Sequence, residues 1–256
     1  MGLKIALCQA AAVSGDVGEN LRRALSIISQ TRADVYVFPE LFLTGYGADC
    51  EDLEEDVRLA VEKIRLRCME HDIAVVVGAP TYHGAKVRNS LLFITSDKSW
   101  AYDKLYPARF GMYAEHEKSF EAGRSPVMAE FKGMRFGLSI CYDIFFPEIY
   151  RSYAVAGADV NVCISASADA SRAYLERVLP ARSLENVLYT VFVNNISSGE
   201  PKFYGGSRLV GPLGDTLAEA GGGEDVLCVF VDRDVVDNAR KTRRHLDDLR
   251  SDIRWL

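Results

Sequence analysis

Histidine is scarce in this chain, with only four among its 256 residues. His71 ends a predicted helix, His83 lies in a glycine-containing turn, and His245 lies in a charged segment near the end of the chain. His116, in a long loop, is the only one that could act as the base for a catalytic cysteine. A peptidase of the Cys–His type is therefore the weaker interpretation of any reactive thiol in this sequence.

Closely spaced cysteines are also missing. The six cysteines are scattered, without C-x-x-C spacing, and several of them lie inside apolar runs. This pattern predicts reduced thiols in a reducing compartment, for which the cytoplasm is the simplest choice. The first residues agree with that prediction, because they lack a basic segment followed by a long apolar run and a cleavage site.

The chain has neither long apolar runs nor an excess of positive charge. No uncharged run approaches the roughly 18 residues that a membrane-spanning helix needs. The net charge of −6 argues against nucleic acid or an anionic membrane as the main partner. Hydrophobic residues make up 48% and charged residues 26%, which is ordinary for a globular protein, so we expect one domain over residues 1–256 with a charged tail from about residue 243.

The predicted elements combine β-α-β units with hairpins. We expect a hairpin over 86–104 that turns at Ser96-Asp97-Lys98, and the continuously apolar strand 73–79 indicates burial on both faces. Ala33-Asp34-Val35-x-Val37 is echoed by Ala158-Asp159-Val160-x-Val162, and each segment opens the second strand of a β-α-β unit. We therefore predict an α/β fold built as a four-layer α-β-β-α sandwich, with two mixed sheets packed on each other and helices outside.

Three of the predicted strands end in reactive side chains. Strand 136–140 precedes Cys141, strand 33–38 precedes Pro39 and Glu40, and strand 100–103 precedes Lys104. Open α/β sheets bind ligands beyond the carboxyl ends of their strands, so the three side chains could share one crevice. Structural alternatives remain open, since a lone cysteine is usually a small core residue and Glu40 with Lys104 could simply form an ion pair.

A carboxylate, an amine and a thiol in one crevice could cleave an amide. Cys141 attacks only as a thiolate, so it needs a base or a cation beside it. Glu40 can accept the thiol proton and pass it to a departing amine. Lys104 can stabilise the oxyanion that forms on attack and can support the thiolate.

These residues also resemble the signatures of the nitrilase, or carbon–nitrogen hydrolase, superfamily. Three motifs stand in the family's order: Phe38-Pro39-Glu40-Leu41-Phe42 with Gly45-Tyr46, then Tyr102-Asp103-Lys104, then Cys141-Tyr142-Asp143 followed by Phe146-Pro147-Glu148. Later positions are similar to the family as well, namely 157–159, 181–186, Asn194, Gly206-Ser207 and Gly211-Pro212-x-Gly214. The resemblance covers essentially the whole chain, and it implies the four-layer sandwich and a homodimer or higher homo-oligomer.

The resemblance implies a role for each of the three residues. It makes Glu40 the general base, Lys104 the oxyanion donor and Cys141 the nucleophile. The backbone N–H of Tyr142 would complete the oxyanion hole. The resemblance thus implies hydrolysis of a small linear amide through a cysteine thioester, without metal or cofactor.

The family also has a second glutamate in the loop after the lysine. Glu115 is the better match to that position, ahead of Gly123. Glu117 stays possible because the spacing to the glycine departs slightly from the family's form. Solvated loop carboxylates are the alternative for both residues.

The expected substrate follows from a departure at Phe145. Several amidase branches carry an arginine there, which can hold a substrate carboxylate, so its absence favours an uncharged or apolar acyl group. Arg109 or Arg172 could supply a replacement cation.

By resemblance the pocket wall includes aromatic residues and one serine, although aromatic residues can equally fill a core. The expected wall residues are Tyr46, Tyr142, Phe145, Phe146 and Ser165. We expect Asp143 to pair with an arginine such as Arg151.

Other functions remain open on the same scaffold. Nitrile hydrolysis and acyl transfer to another amine use the same three side chains. A catalytically silent interaction protein is the alternative from another class, although the presence of all three catalytic residue types argues against it.

Overall fold

The computed structural model describes residues 2–109, 120–197, 202–250 and 252. The strands of the described chain are β1 (Gly2–Gln9), β2 (Val35–Val37), β3 (Ala74–His83), β4 (Lys86–Ile94), β5 (Ser99–Asp103), β6 (Met128–Phe131), β7 (Met134–Ile140), β8 (Val160–Ser165), β9 (Tyr189–Asn194), β10 (Arg208–Val210), β11 (Thr216–Glu219) and β12 (Asp225–Asp232). The α-helices are α1 (Val17–Gln30), α2 (Glu54–His71), α3 (Pro147–Val155), α4 (Arg172–Leu184) and α5 (Arg233–Thr242).

The strands form two mixed six-stranded sheets. Their orders are β12-β1-β2-β3-β4-β5 and β11-β10-β9-β8-β7-β6. Within them β1, β2 and β3 run parallel, as do β7, β8 and β9, whereas the outer strands pair antiparallel. The predicted hairpin over 86–104 is confirmed as β4 and β5, closed where Thr95 N donates to Lys98 O at 2.8 Å.

Apolar residues fill three layers of contact. The inner faces of the two sheets pack on each other, for example through Val37 and Val76 from one and Phe136 and Val162 from the other. The apolar faces of α1 and α2 cover the outside of the first sheet, and α3 with α4 covers the second. Central strands are therefore buried on both faces, which explains the continuous apolar run at 73–79. The predicted α-β-β-α sandwich is confirmed.

The two halves repeat one arrangement. Asp34 and Asp159 each stand before the second strand of a β-α-β unit. The backbone N–H of Lys4, in β1, donates to Asp34 Oδ2 at 2.9 Å, and that of Arg135, in β7, donates to Asp159 Oδ2 at 2.9 Å. The sequence echo thus marks equivalent positions, and each carboxylate ties the first strand of its half to the second.

Two observations bear on the other expectations about the chain. In the part of the chain that the structure describes, no helix is both long and apolar enough to span a membrane. Helix α5 ends at Thr242, and the charged segment that follows begins with a short 3₁₀ turn over Arg244–Leu246.

The equivalent aspartates should differ in their contribution to stability. The Asp159 side chain is 1% exposed and that of Asp34 is 35% exposed. We expect Asp159→Ala to lower the free energy of unfolding by about 2 kcal/mol, because it leaves the partly buried Arg135 N–H unpaired, and Asp34→Ala to lower it by less than about 1 kcal/mol, because water can replace the carboxylate. Urea unfolding of both variants measures this difference. Equal losses, or a larger loss for Asp34→Ala, would contradict the explanation.

Candidate active site

Cys141 occupies a sharp turn at the end of β7. It is the first residue of a 3₁₀ helix, Cys141–Phe145, that lies between β7 and α3, and its φ of +49° is in the left-handed region. That conformation is uncommon for a residue with a Cβ and occurs often at functional sites. The sequence indicated a strand and then a helix, but it did not predict the 3₁₀ turn between them.

The carboxylate of Asp143 holds this turn. Its Oδ2 accepts the Ile140 N–H at 3.1 Å and the Tyr102 hydroxyl at 2.7 Å, while Oδ1 accepts the Tyr106 N–H at 2.9 Å. The expected pairing with Arg151 is therefore wrong, because backbone amides and a tyrosine surround the carboxylate. Burial raises the pKa of Asp143 to about 6, although the charge of Lys104 and these hydrogen bonds act in the opposite direction.

A buried arginine supports the same turn from α4. Arg182 Nε donates to the carbonyl of Ile144 at 2.8 Å, and its Nη1 donates to Glu185 at 2.7 Å. Both contacts are within the fold, so Arg182 links α4 to the turn that carries Cys141.

Glu40 and Lys104 meet as a buried ion pair. Lys104 Nζ donates to Glu40 Oε1 at 2.7 Å, and the two side chains are 2% and 0% exposed. Asn89 Nδ2 donates to the same oxygen at 2.8 Å, and the backbone N–H of Ala166 donates to Oε2 at 2.7 Å. Asn195 Nδ2 donates to the backbone carbonyl of Glu40 at 2.9 Å. Two of the three predicted strand ends are thus in direct contact.

Glycine at position 78 makes room for Glu40. A Cβ on Gly78 would lie 2.3 Å from the backbone nitrogen of Leu41 and 2.4 Å from the carbonyl oxygen of Pro39. Leu41 itself has a φ of +49°, so the chain turns sharply just after Glu40. Only a residue without a side chain lets β3 pass this close to the turn.

Cys141 and Lys104 line one small pocket. Its volume is about 70 Å³. The lining residues are Tyr46, Lys104, Ala108, Cys141, Tyr142, Phe145, Ala166, Ser167, Ala168 and Ser171. Glu40 is not among the lining residues, but it contacts two of them, Lys104 and Ala166. The structure therefore brings the amine and the thiol to one recess, with the carboxylate hydrogen-bonded to the amine.

The predicted wall residues fall into two groups. Tyr46, Tyr142 and Phe145 line the pocket. Phe146 lies behind them, edge-on to Tyr142 at 5.3 Å between ring centroids and stacked on another tyrosine. Ser165 is fully buried, and its Oγ lies 2.6 Å from that of Ser167, which does line the pocket. Sequence reasoning did not single out Ser167.

The predicted loop residues are not described by the structure, and the predicted replacement cations lie outside the described pocket wall. Glu115, Glu117 and His116 fall outside the described residues. Arg109 is exposed, and Arg172 pairs with Glu176 at 3.0 Å. Neither arginine is among the described residues of the pocket wall, where Lys104 is the one charged side chain. Within the described ranges, no group of three or more His, Cys, Asp or Glu side chains could hold a metal ion.

This fold and this recess define a class of enzyme. The family model for carbon–nitrogen hydrolases matches residues 4–241, and the chain belongs to that family. It is similar to an (R)-stereoselective amidase of Pseudomonas sp., with 32% identity over 97% of this chain and 92% of that protein. It is 28% identical to 2-oxoglutaramate amidase of Bacillus subtilis (strain 168), over 93% of this chain and 94% of that protein. The chain is thus an amidase-type hydrolase.

The solved structure of an amidase from Nesterenkonia sp. AN1, of the nitrilase superfamily, has the same fold. It superposes with a TM-score of 0.81 and 28% identity, covering 96% of this chain and 97% of that chain. In another structure of that amidase, the acetamide moiety of fluoroacetamide is covalently added at the active-site cysteine. A further one contains butyramide.

The raised pKa of Asp143 predicts a pH-dependent difference between the wild type and Asp143→Asn. At a pH between the usual pKa of 3.8 and the raised pKa of about 6, Asp143 keeps a proton in the folded protein that it releases in the unfolded chain. The stability that this proton contributes is therefore present below about pH 4 and lost as the pH rises through about 6, a change of about 3 kcal/mol.

Urea unfolding of both proteins across this pH range measures the effect. The free energy of unfolding of the wild type relative to the variant should fall by that amount as the pH rises. The Asp143→Asn variant also lacks some hydrogen bonds of the carboxylate at every pH. The change of the free-energy difference with pH is therefore diagnostic, whereas its constant part is not. A difference that does not change with pH would contradict the assignment.

Proposed function

We propose that this protein hydrolyses a small linear amide through a thioester on Cys141. Glu40 serves as the general base and acid, and Lys104 with the backbone N–H of Tyr142 binds the oxyanion. The observation that carries the proposal is that Lys104 contacts Glu40 at 2.7 Å and lines one pocket with Cys141. The covalent adduct at the cysteine of the Nesterenkonia amidase supports the same chemistry.

The reaction runs in two halves. Glu40 takes the thiol proton, and the thiolate attacks the carbonyl carbon, so that the negative charge moves to the oxygen held by Lys104 and the Tyr142 N–H. As the tetrahedral intermediate collapses, Glu40 gives the proton to the leaving nitrogen and the amine departs. Glu40 then takes a proton from water, the hydroxide attacks the thioester, and the acid leaves as the thiol regains its proton.

The surroundings of Glu40 suit this double role. Its two oxygens accept hydrogen bonds from Lys104, Asn89 and the Ala166 N–H, so the carboxylate is fixed before substrate binds. Fixed dipoles and charges in a recess that excludes water stabilise developing charge without reorganisation. Glu115, or in its place Glu117, is proposed as the second glutamate, which would position base and substrate.

We also propose a homodimer or higher homo-oligomer that works in a reducing compartment such as the cytoplasm. None of the six cysteines, all of which lie within the described residues, forms a disulfide, which suits such a compartment. A small amide is the proposed partner, with no role for nucleic acid, membrane, metal or cofactor.

Replacing the nucleophile tests the mechanism. Cys141→Ala should reduce ammonia release from a small amide to background while leaving the unfolding midpoint close to that of the wild type, since the thiol is only partly buried. Cys228→Ala is the matched control, because Cys228 is exposed and far from the pocket wall in sequence and in the sheet. It should keep full activity. Substantial turnover by folded Cys141→Ala would overturn the thioester mechanism.

The substrate is proposed to carry a neutral, apolar acyl group. Phe145 lines the pocket where an arginine clamp would be needed, and Lys104, the one charged side chain in the described wall, is already paired with Glu40. The butyramide and acetamide groups in the Nesterenkonia amidase structures support this choice. The similarity to 2-oxoglutaramate amidase supplies the competing substrate class.

A side-by-side measurement of kcat/KM decides between the two classes. Butyramide should be hydrolysed with at least about tenfold higher kcat/KM than an α-keto-acid amide of similar length, because burying a carboxylate without a partner is unfavourable. Phe145→Arg should narrow that preference by adding a cation to the wall. A clear preference of the wild type for the carboxylate-bearing amide would defeat the substrate assignment and leave the mechanism standing.

A further inference from the structure

The hydroxyl of Ser167 lies against the sulfur of Cys141. The distance between Ser167 Oγ and Cys141 Sγ is 3.6 Å, within reach of a hydrogen bond to sulfur. Ser167 directly follows Ala166, whose N–H donates to Glu40. One short segment therefore touches both the proposed base and the proposed nucleophile. It lies outside all three motifs that marked the site in the sequence.

A buried amide fixes the position of Ser167. The Ser167 N–H donates to Asn194 Oδ1 at 2.8 Å, and Asn194 Nδ2 donates to the Ser167 carbonyl at 3.1 Å. The same Nδ2 donates to Gly205 O at 3.0 Å, and the Asn194 N–H donates to Ser207 Oγ at 3.0 Å. Since Asn194 is fully buried and uses both of its amide protons and its amide oxygen in hydrogen bonds, the backbone that carries the hydroxyl is held on both sides.

The direction of the hydrogen bonds follows from the number of protons. Ser165 Oγ lies 2.6 Å from Ser167 Oγ, and among the described residues it has no other hydrogen-bond partner. If Ser167 donated to Ser165, the buried proton of Ser165 would lack an acceptor, which is unfavourable. If Ser165 donates to Ser167, the proton of Ser167 points to the sulfur and both hydroxyls are satisfied.

We infer that Ser167 donates a hydrogen bond to the Cys141 thiolate and thereby increases the fraction of Cys141 that is ionised at neutral pH. A thiolate can only accept hydrogen bonds, so a donor held 3.6 Å away favours it over the thiol. The inference rests on the proposed role of Cys141 as nucleophile and adds a residue that touches the reacting atom.

The pH dependence of Cys141 alkylation tests this role. Iodoacetamide is added to the full-length protein over a pH series, and modification is followed by mass spectrometry of the peptide that contains Cys141, because the exposed Cys228 can react as well. Ser167→Ala should raise the midpoint of alkylation by about one pH unit. Ser167→Thr, which keeps a hydroxyl, should keep the midpoint close to that of the wild type. Ser171→Ala, which removes another hydroxyl from the pocket wall, is the matched control and should leave the midpoint unchanged.

Two results would overturn the inference: an unchanged midpoint in Ser167→Ala, or an equal rise in Ser171→Ala. Should Ser167→Ala fail to fold, Ser165→Ala provides a second measure. It leaves the Ser167 hydroxyl against the sulfur but removes the Ser165 donor. The midpoint of alkylation should then rise by less than one pH unit, and no rise would contradict the inferred direction of these hydrogen bonds. Alkylation needs no amide turnover, so this test can fail while Cys141→Ala still supports the proposed function.

Discussion

The buried ion pair between Glu40 and Lys104 is the interaction on which the rest of the structure depends. Removing two charges from water costs several kcal/mol for each ion, and their attraction offsets that cost only when the remaining hydrogen-bonding positions are filled. Here Asn89 fills one position on Glu40 Oε1, and the Ala166 N–H fills Oε2. The pair can therefore persist only while β4, the end of β5 and the segment after β8 keep their relative positions.

The two sheets contribute different parts of the site. Glu40, Lys104 and Asn89 come from the first sheet and its loops, whereas Cys141 and Ser167 come from the second. Because the inner faces of the sheets interlock over an apolar core, the packing of that core sets the distances between these groups. The repeat of the two halves adds a second constraint. Glu40 follows β2 and Ala166 follows β8, so the loops after two equivalent strands meet, yet one supplies a carboxylate and the other a backbone donor.

Sequence reasoning reached those features that local pattern encodes. Apolar periodicity and the Asp34 and Asp159 echo predicted the layers, and the residues that follow three strands predicted the recess. Sequence reasoning failed for features that result from a contact between segments far apart in the chain. Asp143 was assigned to an arginine because nothing local indicates that it accepts from Tyr102 and from two backbone amides.

The polar residues that support the site were missed for a related reason. Asn89 lies within an otherwise ordinary strand and Ser167 carries no motif, so their importance appears only when another strand end is placed beside them. The left-handed backbone of Cys141 had no signal either, since glycine is the usual marker of that conformation.

Two residues with left-handed backbone conformations, Leu41 and Cys141, lie in the turns that carry the proposed base and nucleophile. Leu41 and Cys141 each have a φ of +49°, and such conformations cost about 1–3 kcal/mol each for residues with a Cβ. They persist because neighbours determine them: Gly78 leaves space beside Leu41, and Asp143 accepts the N–H just before Cys141. The strain is therefore carried by contacts within the fold, and the same contacts fix the backbone from which the carboxylate and the sulfur project.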